Sequence, residues 1–115
     1  MAGKFELKLT KNGQFLFNLK AANGEVVLTG EMYKTKESAM NGIAAVRAAA
    51  ADDKHFQRKV NAKGEPFFSL VAGNGENLGK SEGYSSAAAM ENGVASVKKN
   101  AADAKVADIT EEEKK

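Results

Sequence analysis

Cysteine and tryptophan are absent from this 115-residue chain, and histidine occurs once, as His55. Without cysteine there is no disulfide framework, no thiolate nucleophile and no cysteine-based zinc site. A reducing compartment fits such a composition. One histidine does not build a typical transition-metal site, and nothing marks a nucleophile elbow for a Ser/His/Asp triad. His55 is therefore expected on the surface, and the chain is expected to use no cofactor or metal and to be no enzyme. Long hydrophobic runs are also missing, so no membrane span is expected. Met1–Phe5 carries no apolar leader core, and a cytoplasmic location is the expectation. Strong charge of one sign is lacking too. The net charge is +2, with 14 bases and 10 acids in residues 1–101 and three bases and five acids in 102–115. Dedicated nucleic-acid binders are usually more basic than that, so nucleic acid is a weakly supported partner.

What the chain does have is a duplication. Residues 4–50 recur at 55–101 with an offset of 51 and 16 identities in 47 positions. Among these are Phe5/Phe56, Phe17/Phe68, Leu19/Leu70, Tyr33/Tyr84 and Val46/Val97. A repeat of this length fixes the architecture before any motif is read. A lone 47-residue unit buries too little surface to be comfortably stable, so the halves are expected to share a core. The expected layout is one domain over 1–115: repeat one at 4–50, a linker at 51–54, repeat two at 55–101, and a polar, partly disordered tail at 102–115.

Each repeat opens with period-two alternation, Phe5, Leu7 and Leu9 against Lys4, Glu6 and Lys8, which is the mark of a half-buried strand. A second strand is expected over 14–21 and a third over 25–29, with 76–80 as its counterpart. Asn23-Gly24 and Asn74-Gly75 read as two-residue hairpin turns. Past Tyr33 and Tyr84 the period becomes 3.6, with Ala39, Ile43, Val46 and Ala50 on one stripe and Met90, Val94, Val97 and Ala101 on the other. Thr35 and Ser86 stand where N-caps belong. Gly42 and Gly93 lie inside the helices, where glycine costs about 1 kcal/mol relative to alanine. The same defect written twice indicates close approach of each helix to the sheet. The expected fold is α+β: a tandem β-β-β-α unit giving a six-stranded antiparallel sheet, two helices on one face and an internal pseudo-two-fold.

The combination Asn23-Gly24-Glu25, Tyr33-Lys34-Thr35 and Asn41-Gly42, with Asn74-Gly75-Glu76, Glu82-Gly83-Tyr84 and Asn92-Gly93 in the second copy, resembles the YegP-like family of small bacterial proteins built from tandem units of about fifty residues. The resemblance covers 4–101. It implies a cytoplasmic bacterial protein of β-β-β-α repeats and supplies no catalytic residues.

Among single features, Asp52-Asp53 reads as a turn or solvated linker. Gly73–Gly79 lacks the GK[ST] ending of a phosphate loop. Glu31/Glu82, Tyr33/Tyr84 and Asn41/Asn92 read as a hydrogen-bonded loop lock, or alternatively as a pair of symmetric pockets of a small-molecule binder or minor enzyme. By strand parity the sheet face away from the helices carries Glu6, Lys8, Leu16, Asn18, Lys20, Val26 and Leu28, and in the second copy Gln57, Lys59, Phe67, Ser69, Val71 and Asn77. Lys8, Leu16, Asn18, Lys20, Lys59, Phe67, Ser69 and Val71 are the candidate partner face of a binding or interaction module. Its expected partner is a protein or a second copy of the chain.

Overall fold

The computed structural model describes residues 3–22 and 24–108, apart from the side chain of Asp103. The strands are β1 (Lys4–Leu9), β2 (Phe15–Lys20), β3 (Val26–Tyr33), β4 (Phe56–Val60), β5 (Pro66–Val71), β6 (Asn77–Lys80) and β7 (Lys105–Asp108). The helices are α1 (Lys36–Ala50) and α2 (Ala87–Asp103). Both caps stand where the sequence puts them: Thr35 Oγ1 accepts from the Ser38 N–H at 3.0 Å and Ser86 Oγ from the Ala89 N–H at 3.1 Å. Each satisfies one of the first-turn donors that a helix leaves unpaired.

The four hairpins share one geometry, and it is not the two-residue turn expected at Asn23-Gly24 and Asn74-Gly75. Asn23 itself lies outside the described residues. Thr10, Ala21, Asn61 and Ala72 each donate to the carbonyl four residues on, and each accepts from the glycine three residues on. Those glycines, Gly13, Gly24, Gly64 and Gly75, have φ between 80 and 89°. No other described residue has positive φ, whereas a two-residue type I′ turn needs it at both central positions. The loops are three-residue turns closed by a left-handed glycine. Asn74 contributes through its side chain, which accepts from the Glu76 N–H at 3.0 Å.

The sheet has seven strands in the order β4-β5-β6-β3-β2-β1-β7, not the six antiparallel strands expected. β7 adds to β1 in parallel, with Lys4 opposite Lys105 and Phe5 opposite Val106. The stretch 102–108 is thus ordered: α2 runs to Asp103 and a strand follows at once. Residues 109–115 lie outside the described residues. At the centre, Thr29 pairs with Lys80 and Gly30 with Gly79. Thr29 and Lys80 are themselves related by the repeat offset, so the pseudo-two-fold passes between them.

Both helices cover the same face. α1 packs on β2, β3, β5 and β6, while α2 packs on β1, β2, β3 and β5, so each helix spans strands of both repeats. Phe5, Leu7, Phe17, Leu19, Phe68 and Leu70 are fully buried beneath them together with Val46 and Val97. Leu28, expected on the outer face, is also fully buried. The reason is an irregularity in the β2–β3 register between Leu19 and Lys20: Val26 pairs with Lys20 but Leu28 with Leu19, so one extra residue of β3 flips its parity.

The two edges of the sheet are protected differently. β7 covers β1, and Asp108 closes that edge by accepting from Lys36 Nζ of α1 at 2.7 Å. Among the described residues β4 has no outer neighbour. Its inward position, Leu7 in the first repeat, is Arg58 in the second. The Arg58 guanidinium reaches over α2 to Glu91 (2.6 Å) and back to Asp53 (3.0 Å), and Lys98 joins Asp53 at 2.7 Å. An inward-pointing charge is a known way of blunting an edge strand against pairing with another chain. Asp53 lies in a 3-10 turn, Asp53–His55, capped by Asp52. His55 is therefore half-buried in a turn rather than at the start of a strand.

Candidate functional site: the open face of the sheet

Registered partners in a sheet project to the same side, so the pairing defines the face opposite the helices. One line of partners crosses all seven strands: Gln57, Ser69, Lys80, Thr29, Asn18, Glu6 and Ala107. It is polar throughout except for its last member. Every residue of the candidate face lies on this side. Lys8 pairs with Leu16, Lys59 with Phe67 and Lys4 with Lys20, while Val71 follows Ser69 two residues on. Their exposure is unequal: Ser69 is only 5% exposed, whereas Met32, the β3 partner of Leu16, is 56% exposed. The side also holds Lys80 and Lys105, which sequence parity did not place. No sequence signal places Lys105 there, because the repeat offset pairs it with Lys54, which lies in the 3-10 turn Asp53–His55.

The face is basic. Lys4, Lys8, Lys20, Lys59, Lys80 and Lys105 lie on it by register, with Glu6 as the acid in the strands' outward positions. Glu6 is 8% exposed and sits among three of these lysines, at 3.1 Å from Lys20 Nζ, 3.4 Å from Lys8 and 3.8 Å from Lys4. Burial works to raise its pKa, but hydrogen bonds and charge from Lys20 and Lys8 outweigh it and hold the carboxyl below its ordinary value. Two shallow depressions, of about 210 and 240 Å³, open near the centre of the sheet and share Lys80, Ser81 and Glu82.

The repeated signature Tyr33, Asn41 and Gly42, with Tyr84, Asn92 and Gly93, belongs elsewhere. Tyr33 stacks on Phe17 at 5.9 Å between ring centres, and Tyr84 on Phe68 at 6.3 Å. Each hydroxyl end lies against a helix glycine. A methyl group at Gly42 would come within 2.7 Å of Tyr33 Cζ and 3.1 Å of Phe17 Cε2; at Gly93 it would meet Tyr84 Cζ and Phe68 Cε2 at the same distances. Asn41 and Asn92 are exposed, so ring packing rather than a hydrogen-bonded lock joins the set. A cleft of about 560 Å³ lies beside Tyr33, lined by Glu31, Ser38, Asn41 and, from the other repeat, Glu76, Asn77 and Leu78. Burial, then the charges of Glu31 and Glu76, raise the Tyr33 pKa; burial, Glu82 and Glu25 do the same for Tyr84. Both phenols stay neutral and act as packing groups. Among the described residues no group of three or more His, Cys, Asp or Glu side chains is placed to hold a metal ion, and no helix is long and apolar enough to cross a membrane.

A duplicated α+β protein with two helices on one side of a mixed seven-stranded sheet is the class that fold and face define. The chain matches the family described as "Domain of unknown function (DUF1508)" over residues 10–56 and again over 61–108. It is 53% identical to UPF0339 protein MS1092 of Mannheimia succiniciproducens over 94% of this chain and 96% of that one. It is 48% identical to UPF0339 protein YegP of Yersinia pestis over 94% and 96%. The solution NMR structure of the protein of unknown function yegP from E. coli superposes with a TM-score of 0.91 at 43% identity, covering 96% of this chain and 95% of that one. That of UPF0339 protein SO3888 from Shewanella oneidensis gives 0.91 at 42% identity, covering 97% and 95%. The chain belongs to the UPF0339 family of DUF1508 repeat proteins, whose function is unknown. The matched segments also correct the repeat unit. Each begins in the turn after the first strand of its repeat, at Thr10 and Asn61, and runs past the helix, so its bounds differ from 4–50 and 55–101.

Proposed function

We propose that the protein is a non-enzymatic binding module that docks an acidic protein surface on the open face of its sheet. The observation that carries this reading is the charge of that face, six lysines against the buried Glu6 and the exposed Glu82 that lines the same depressions as Lys80, on a rigid surface that also presents Leu16, Val26, Met32 and Phe67. Complementary charge steers encounter and fixes register, while the apolar groups supply contact area. A cytoplasmic setting is part of the same proposal and rests on the cysteine-free composition.

The test is recovery of partners on the immobilised protein from its native cells, at low and high salt and with nuclease treatment. Leu16→Ser with Phe67→Ser replaces two half-exposed side chains, so the fold should hold while protein partners are lost. Lys20→Glu with Lys59→Glu should lose them too. Partners that survive both pairs of changes overturn the reading, and partners removed by nuclease mark the face as a nucleic-acid surface instead. A second reading rests on the cleft beside Tyr33, whose size suits a small ligand. It requires that Asn41→Ala and Glu76→Ala together abolish binding of a metabolite carried through purification.

A further inference from the structure

The sheet is nearly two-fold symmetric, but the charge on its open face is not. Lys8 has a counterpart in Lys59. Lys4 and Lys20 correspond to His55 and Val71, and Glu6 corresponds to Gln57. β7, which brings Lys105 beside Lys4, has no equivalent outside β4 among the described residues. Four of the six lysines thus gather at one corner, on β1, β2 and β7. Three of them are held within 3.8 Å of the Glu6 carboxylate, which nearby groups almost cover. One carboxylate cannot use all the donors of three ammonium groups, each of which has three. The corner keeps a net positive charge and outward-facing N–H groups, with the lysine stems already oriented from below.

We propose that this corner, Lys4, Lys8, Lys20 and Lys105 around Glu6, is the anchor point for an acidic polypeptide segment of the partner. The partner then sits off-centre and in one orientation despite the pseudo-two-fold. The inference rests on the open-face reading and specifies where on the face the charge contact falls. The neighbours of the corner favour carboxylates over nucleic acid. Leu16 and Val26 flank it, while Phe67, the aromatic of the candidate face, lies on β5, four strands from β1. Both arginines of the described chain lie on the helix side, Arg47 over Phe5 and Arg58 over α2. Binding to single strands relies on stacking aromatics, and bidentate phosphate recognition on arginine. The corner offers neither, whereas lysine ammoniums serve as point charges for flexible carboxylates.

The test uses two fluorescent probes of similar charge, a deca-glutamate peptide and a ten-nucleotide oligothymidylate, titrated with the full chain and read by anisotropy. Two variants each remove two charges from the same face: Lys4→Gln with Lys105→Gln at the corner, and Lys59→Gln with Lys80→Gln at the far half. The corner pair is expected to weaken deca-glutamate binding about tenfold and the far pair about twofold or less, both differences shrinking as salt rises. Circular dichroism should show both variants folded, since Lys4 and Lys105 are exposed. Equal losses from the two pairs, or no binding of deca-glutamate by the parent, overturn the corner. Tighter binding of the oligothymidylate than of the peptide overturns it in favour of nucleic acid. If the corner fails while Leu16→Ser with Phe67→Ser still abolishes partner recovery, the open face stands and only the anchor falls.

Discussion

The hydroxyl end of the Tyr33 ring rests against Gly42, a helical position where a side chain would collide with it. The second repeat writes the same contact as Tyr84 on Gly93, again with a phenylalanine of the neighbouring strand behind the ring. Glycine is kept in the helix because the tyrosine needs its place. The sequence indicated close approach to the sheet, but the approaching group is a side chain that the sheet projects, not the strand backbone.

Gly42→Ala and Gly93→Ala should therefore each destabilise the fold although alanine is the better helix former. The propensity gain of about 1 kcal/mol is opposed by overpacking of about 1–3 kcal/mol. Leucine should be worse at both sites. In a Tyr33→Leu background the penalty for Gly42→Ala should shrink or reverse, which urea denaturation of the four-member cycle measures. An unchanged penalty would contradict the tyrosine contact.

Separate expression of 1–52 and 53–115 should give unfolded chains, or chains that associate on mixing. α2 packs on strands of the first repeat and α1 on strands of the second. Arg47 of α1 donates to the carbonyls of Ala101 and Ala104 at 3.0 and 2.6 Å. Splitting the chain opens one core rather than dividing two. A single repeat that is monomeric and melts cooperatively contradicts this.

The β4 edge predicts an acid response. The Asp53 carboxyl is held down to about 2 by hydrogen bonds from Arg58 and then Lys98, and that of Glu91 is lowered by Arg58. A carboxyl with a depressed folded pKa stabilises the fold above its unfolded value and loses that contribution as pH falls through the folded one. Arg58→Met should therefore lower stability at pH 7, and the gap between variant and parent should narrow from about pH 4 toward pH 2. These groups are exposed, so the effect at pH 7 should be small. A gap that does not change with pH rules out the ion network as its cause.

Val106→Asp should detach β7, because Val106 packs against the core beside Phe5. The result should be faster amide exchange along β1, a lower melting temperature and a tendency to associate through the freed edge. Unchanged exchange at Phe5 and Leu7 would show that β7 contributes nothing to β1.

Much of this architecture is legible in the chain. The Phe and Leu alternation, the Thr35 and Ser86 caps and the 3.6-residue stripes appear in the structure as read, because each is set by local chemistry. What escapes is set by pairing. Leu28 looks outward by counting, and only the register shift at Leu19–Lys20 reveals that it is core. β7 has four residues and one branched apolar side chain, Val106, too little pattern to distinguish from a tail. Both omissions touch the candidate face: one removes an apolar group from it and the other adds a lysine. The Asn-Gly pairs signal turns correctly, but the turn length depends on hydrogen bonds across the hairpin, which residue types alone do not specify.

The most direct test of the open face is amine footprinting of the protein alone and with its recovered partner. Acetylation is read at every lysine by mass spectrometry, so both sides of the sheet are sampled in one experiment. Docking on the open face predicts that Lys8, Lys20, Lys59, Lys80 and Lys105 are protected while Lys34, Lys36, Lys98 and Lys99 react as before. Protection at the second group, with the face lysines unaltered, would contradict it.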